Sequence, residues 1–172
     1  SPFDVNFSHY QIMKQPLPSE YKPYFHRYIS LVEGENFFEQ YDKINQDFIQ
    51  FLNSIPADKH DYRYAPGKWT IKQILRHLID CDRVFAYRAL VAARGDNSSL
   101  HSFDEDSYAL AASEETSSLN YLAEEFKAVR FANRCMFEQL NEKQSQALAN
   151  TEEHPMSVRA IAYILIGHVI HH

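Results

Sequence analysis

The stretch that decides the fold is Ser157-Val-Arg-Ala-Ile-Ala-Tyr-Ile-Leu-Ile-Gly-His-Val-Ile-His-His172. At about 100° per residue, Val158, Ile161, Ala162, Leu165 and Val169 form one apolar stripe of a helix, with His168 and His172 in it or at its edge. His171 points further round. Residues i and i+4 lie one above the other on a helix, so the two imidazoles can converge on one point, which is the spacing a helix uses to chelate a metal. Two histidines need a third partner.

His77 supplies it, within Thr70-Ile-Lys-Gln-Ile-Leu-Arg-His-Leu-Ile-Asp-Cys-Asp-Arg-Val-Phe85. The stripe there is Ile71, Ile74, Leu75, Leu78 and Phe85, and His77 flanks it beside Cys81 and Val84, facing a seam between helices. The bland alternative for all three histidines is a helix pair with ordinary semi-buried imidazoles. Cys81 and Cys135 read as buried thiols of a reducing compartment, with Cys81 one turn beyond His77 and within reach of an ion there.

Two further apolar periodicities complete a set of four long helices. Phe37, Phe38, Tyr41, Ile44, Phe48, Phe51, Leu52 and Ile55 recur at steps of three and four over about 35–53, and Leu119, Leu122, Phe126, Val129, Met136, Phe137 and Leu140 do so after a cap at Ser113 or Thr116. Thr70 is the expected N-cap of the helix that runs to about Arg94, which Gly95 terminates. Between Gly95 and Ser113 lie some twenty residues rich in Asp, Ser and Asn around Phe103-Asp-Glu-Asp-Ser-Tyr108. A helix of about 25 residues is about 37 Å long, and such a connection extends to about 66 Å. It can therefore return the full length of a bundle, leaving the second and third helices parallel. Before these, residues 1–19 read as a proline-punctuated arm and Ser19 or Glu20 to Val32 as a short helix ended by Gly34; a loop from Asn141 to Pro155 leads into the histidine helix.

The expectation is an all-α fold, a four-helix bundle with a long crossover loop between helices 2 and 3 and a short extra N-terminal helix. One domain spans 1–172, with 1–34 as arm and short helix and 35–172 as bundle. Composition agrees: 172 residues, 45% hydrophobic, 14% aromatic and only four glycines suit bulky helix faces rather than a many-stranded sheet. A formal charge of −6 argues against a nucleic-acid partner, because such domains cluster Lys and Arg on one face. No apolar run reaches the roughly eighteen residues that span a bilayer, and the first residues lack a signal pattern, so a cytoplasmic protein with no membrane partner is expected.

These stretches together resemble the DinB-like superfamily of four-helix bundles. The matching pieces are Tyr28-Ile-Ser-Leu-Val-Glu-Gly34, Tyr64-Ala-Pro-Gly-Lys-Trp-Thr70, Arg76-His-Leu-Ile-Asp80, Arg94-Gly-Asp96, Phe103-Asp-Glu-Asp-Ser-Tyr108 and Ser157-Val-Arg-Ala-Ile-Ala-Tyr163 leading into Gly167-His168. The resemblance implies a three-histidine site for one divalent ion, zinc or nickel, on His77, His168 and His172. It also implies activities such as thiol transfer with bacillithiol or another low-molecular-weight thiol, or metal-dependent hydrolysis. Three neutral imidazoles leave such an ion its charge and an open position, which suits the preparation of either a water or a thiol.

The surroundings should choose. Hydrolysis of a small-molecule substrate needs a base, for which Asp80, Asp104 and Asp106 are the candidates. Thiol transfer needs cations for the carboxylates of the thiol, for which Arg83 and Arg159 are the candidates. Phe103 and Tyr108 are expected to anchor the crossover over the ion. Each has an ordinary alternative: Asp80 as a surface charge or a brace for a ligand histidine, Asp104 and Asp106 as turn formers, Arg159 as the partner of an acidic residue. The all-histidine shell tips the expectation toward thiol transfer, with hydrolysis and a non-catalytic sensor or homodimer scaffold as alternatives.

Overall fold

The computed structural model describes residues 13–34, 36–112, 116–152 and 154–172. Its helices are α1 (His26–Ile29), α2 (Phe37–Ser54), α3 (Ile71–Ala93), α4 (Glu105–Ala111), α5 (Leu119–Glu138), α6 (Glu142–Gln146) and α7 (Val158–His171); β1 (Leu148–Ala149) and β2 (Met156–Ser157) form a two-stranded antiparallel ribbon. Among these residues no helix is long and apolar enough to cross a membrane.

The long helices start where side chains satisfy their free N–H groups. Thr70 accepts from Gln73 N while the Gln73 side chain accepts from Thr70 N, a reciprocal cap. Ser157 Oγ accepts from Ala160 N at 3.0 Å. Gly95, at φ 75°, takes the left-handed conformation that ends α3.

Cross-helix pairs give the directions. Arg76 meets Glu125 while Asp82 meets Arg130 and Asn133, so α3 and α5 run parallel. Phe37 packs on Phe137, and Phe48 on Phe126, so α2 opposes α5. Phe37 touches Tyr163 at one end of α7, and Leu52 shares a cluster with Val169 at the other, so α2 and α7 run together. The 95–118 connection is thus the crossover that a parallel α3–α5 pair requires.

Four local expectations need correction. The helix expected from Ser19 or Glu20 to Val32 is two 3₁₀ turns, Pro18–Glu20 and Pro23–Phe25, followed by the four-residue α1. Pro23 holds Lys22 extended, at φ −65° and ψ 137°, and breaks the run. The crossover is not irregular throughout, because Asp104 caps a seven-residue helix, α4, within it. The third long helix starts at Leu119, where Ser118 Oγ accepts from Tyr121 N at 3.1 Å; of the two caps expected, Thr116 lies before it and Ser113 outside the described residues. The 141–155 segment holds α6 and the ribbon, whose pairing of Ala149 with Met156 steers the chain into α7.

α7 is more than a one-sided stripe, since every residue from Val158 to Val169 is buried. A helix apolar all round belongs inside. α2 and α3 pack on it, and α1 covers the remaining side so closely that a Cβ on Gly167 would lie 2.0 Å from the Tyr28 carbonyl oxygen. The segment before α1 is fastened to the same helix: Tyr163 Oη donates to Met13 O at 2.9 Å, and Arg159 pairs twice with Glu20, at 2.7 and 2.6 Å.

Candidate metal centre

α3 and α7 bring His77, His168 and His172 together at one end of the bundle. His77 Nε2 lies 3.1 Å from His168 Nε2, and His172 Nε2 lies 3.2 Å from the same atom. One nitrogen of each ring falls within 4.8 Å of the others. His77 and His168 are buried, and His172 sits at the solvent edge. The Trp69 ring packs on His77 at 4.9 Å between centroids and the Tyr28 ring on His168 at 5.2 Å, so each buried imidazole has an aromatic wall. Tyr28 holds this place because its own carbonyl rests on Gly167, one residue before His168.

An imidazole nitrogen has a single in-plane direction for a proton or a lone pair. His168 Nε2 cannot serve two neighbouring Nε2 atoms along it with hydrogen bonds alone, whereas one ion between the three satisfies all of them. With Zn–N bonds of about 2.0–2.1 Å, the edge of a tetrahedral site is about 3.3 Å. The observed 3.1 and 3.2 Å fit that edge.

The electrostatics keep the lone pairs available. Burial, then the neighbouring His172, pushes the His77 pKa down to about 4. Burial, then His77 and the other imidazoles, pushes His168 down to about 2. His172 is also shifted down, by burial and then His171. At neutral pH this favours three neutral rings, the form that binds metal.

Cys81 lies one turn along α3, its Sγ 3.6 Å from His77 Nδ1 and 3.8 Å from Nε2. Burial, then Glu105, Asp82 and Asp80, pushes its thiol well up, so it is held protonated. Glu105 forms a second donor group with His77 and Cys81, each within 4.8 Å of the others. Burial, then Asp106 and Asp104, raises the Glu105 carboxyl. Glu105 also lines a 180 Å³ cavity with Tyr24, Phe25, Phe85, Arg88 and Phe103, which none of the three histidines of the triangle lines. A cleft of 440 Å³ between α2 and α5 is lined by none of the three histidines.

Glu105 and Tyr28 were not singled out from the sequence. Glu105 falls between the two aspartates that were, and only the capping of α4 by Asp104 decides which of the three acids, all exposed, brings a carboxylate to His77 and Cys81. Asp104 accepts from Asp106 N, Ser107 N and Ser107 Oγ, and those bonds, Ser107 Oγ first, hold its pKa low. Asp106 is exposed in the first turn of α4. Asp80 and Tyr108 share a shallow cleft with Arg76, and Phe103 packs edge-on against Phe85 and tilted against Tyr108 while Arg88 lies over its ring. Arg83 is bound to Glu125 at 2.6 Å and Arg159 to Glu20, so both expected anion anchors already have carboxylate partners. His60 bonds Ile55 O through Nε2.

A family model described as the DinB superfamily matches residues 40–172, a span containing all three histidines. The solved structure of YfiT from Bacillus subtilis has the same fold, with a TM-score of 0.69 at 16% identity over 97% of this chain and 91% of that one; it is described as a probable metal-dependent hydrolase with an unusual four-helix bundle topology. No curated protein matches the chain at a significant level.

Proposed function

The chain belongs to the DinB superfamily, and we propose that it is a metal-dependent hydrolase of a small molecule, with His77, His168 and His172 holding one zinc or nickel ion. The observation that carries the reading is the double contact of His168 Nε2, at 3.1 and 3.2 Å from its two partners. A divalent ion bound there supplies Lewis-acid activation of water at neutral pH. The residues of the chain do the rest. Trp69 and Tyr28 hold the ring planes of His77 and His168 and keep bulk water from their faces. Glu105, its carboxyl raised by burial and by its acidic neighbours, accepts a proton at a carboxylate oxygen beside His77. The aromatic cavity that Glu105 shares with Phe25, Phe85 and Phe103 receives the apolar part of the substrate. The description of YfiT agrees with this reading, which stands on the residues of this chain.

Thiol transfer is the second reading. It is favoured by the all-imidazole donor set, which leaves an ion its full charge for a thiolate. It ranks lower because Arg83 and Arg159, the cations expected to hold such a thiol, are paired with Glu125 and Glu20. The free cysteines Cys81 and Cys135 suit a reducing, cytoplasmic setting for either reaction.

The test is to measure metal content of protein purified without a histidine tag, then hydrolysis of p-nitrophenyl esters and anilides with and without chelator. A parallel assay offers monochlorobimane with cysteine, glutathione or bacillithiol. Metal-dependent hydrolysis lost in His168→Ala is the expected result. Thiol-dependent turnover without hydrolysis would reverse the order of the two readings, and an absence of bound metal would overturn both.

A further inference from the structure

His77 belongs to two donor groups. One is the histidine triangle, and the other is completed by Cys81 and Glu105. We propose that His77, Cys81 and Glu105 form a second metal position, selective for a thiophilic ion and alternative to the triangle because the two share the His77 ring. The inference shares two residues with the function proposed above, His77 and the proton acceptor Glu105, and rests on it through them.

Geometry carries it. Cys81 Sγ is 3.6 Å from His77 Nδ1 and 3.8 Å from Nε2, and the Glu105 carboxylate completes a group in which every donor is within 4.8 Å of the others. With Zn–N and Zn–S bonds of about 2.0–2.1 and 2.3 Å, the N···S edge of a tetrahedral site is about 3.6 Å. Sulfur stands nearly equidistant from both nitrogens, so a turn of the ring about Cβ–Cγ, a soft torsion in histidine, presents Nδ1 to the new position and takes Nε2 out of the triangle. One ring serves one ion at a time.

Charge and softness separate the two positions. The triangle is neutral and leaves a divalent ion at +2. The second set gives a thiolate and a carboxylate, with the displaced protons passing to solvent, so the bound site is close to neutral where Cys81 is buried. Thiolate selects zinc and softer ions, whereas imidazole alone also suits nickel. Glu105 is exposed, so the position is open to an ion from solvent.

The experiment uses full-length Cys135→Ser protein, to remove the other thiol, carrying His168→Ala and His172→Ala. Cd(II) is titrated and the ultraviolet sulfur-to-cadmium charge-transfer band is read, with circular dichroism to verify the helices. One equivalent bound with the sulfur band is expected. Adding Cys81→Ser should abolish the band, and adding Glu105→Gln should keep it while weakening binding by about tenfold. Cd(II) bound without the band, or no Cd(II) bound by a folded variant, overturns the inference. Should the double histidine variant not fold, the same band is sought in Cys135→Ser protein with its histidines intact, and its absence there is equally fatal. Ni(II) binding to wild type, lost in the double variant, tests the triangle separately, so a protein that binds Ni(II) yet never shows the sulfur band disproves this second position alone.

Discussion

His168 Nε2 is the atom on which the site turns, since it alone is in hydrogen-bonding range of both other Nε2 atoms. Replacing His77, His168 or His172 by Ala should each weaken metal binding by about 100-fold or more in calorimetric titration, more than the usual cost of losing a supporting group, with helical circular dichroism retained. His171→Ala should bind nearly as wild type, because its ring packs on Tyr28 and His172 without joining the triangle. Gly167→Ala should act from one position away. Its Cβ would meet the Tyr28 carbonyl at 2.0 Å, a backbone neighbour that cannot swing aside, so a loss of about 2–3 kcal/mol in urea unfolding is expected, together with weaker metal binding as Tyr28 leaves His168. The histidines were legible because i, i+4 spacing is a property of any helix. Glu105 was not, because it belongs to a helix of under two full turns whose orientation depends on what Asp104 caps.

At the scale of elements, α3 is tied to α5 by one partly exposed ion-pair set and one buried one. Arg76 grips Glu125 with two bonds, at 2.9 and 3.1 Å, and Arg83 adds a third. The Arg76 bonds first, then those of Arg83, hold the Glu125 carboxyl below its ordinary value of 4.5. A depressed carboxyl contributes stability that is present above pH 4.5 and is lost as pH falls through the folded value. Glu125→Gln should therefore cost about 1 kcal/mol or less near pH 7, after screening, and nothing near pH 2, which urea unfolding at the two pH values checks. The buried set is costlier to break. Arg130 donates to Asp82, Asn45 and the Leu165 carbonyl of α7, and Asp82 also accepts from Asn133. Arg130→Met strands the Asp82 carboxyl and should destabilise by about 3–5 kcal/mol, whereas Lys43→Met, whose pair with Asp47 is exposed, should cost under about 1 kcal/mol. The long helices could be read from sequence because their periods repeat and Thr70 and Ser157 announce two of their starts. α4 and α6 could not, since five to seven residues carry too little period to recognise, and α1 was read only as part of a longer helix. The full burial of α7 was also hidden, because its apolar residues beyond the stripe look the same whether they meet lipid, solvent or the N-terminal turns.

For the whole molecule, an ion held on the proposed triangle would fasten α3 to α7, because the three donors come together only in the folded chain. With free metal at about a thousand times Kd the gain is about 4 kcal/mol. For a chain of this size that is roughly 8–16 °C in thermal midpoint. Scanning calorimetry with and without zinc or nickel checks it, and His168→Ala should show almost no shift. His77 and His168 are separated by 91 positions. On a ribosome adding about 5–20 residues per second, that distance is roughly 5–18 seconds of synthesis. For that interval the nascent chain offers His77 and Cys81 on one helix with no α7 to complete the triangle. On the two positions proposed above, an ion met in that interval would be tested by sulfur before it is tested by three imidazoles, which would make the order of synthesis a filter on the metal.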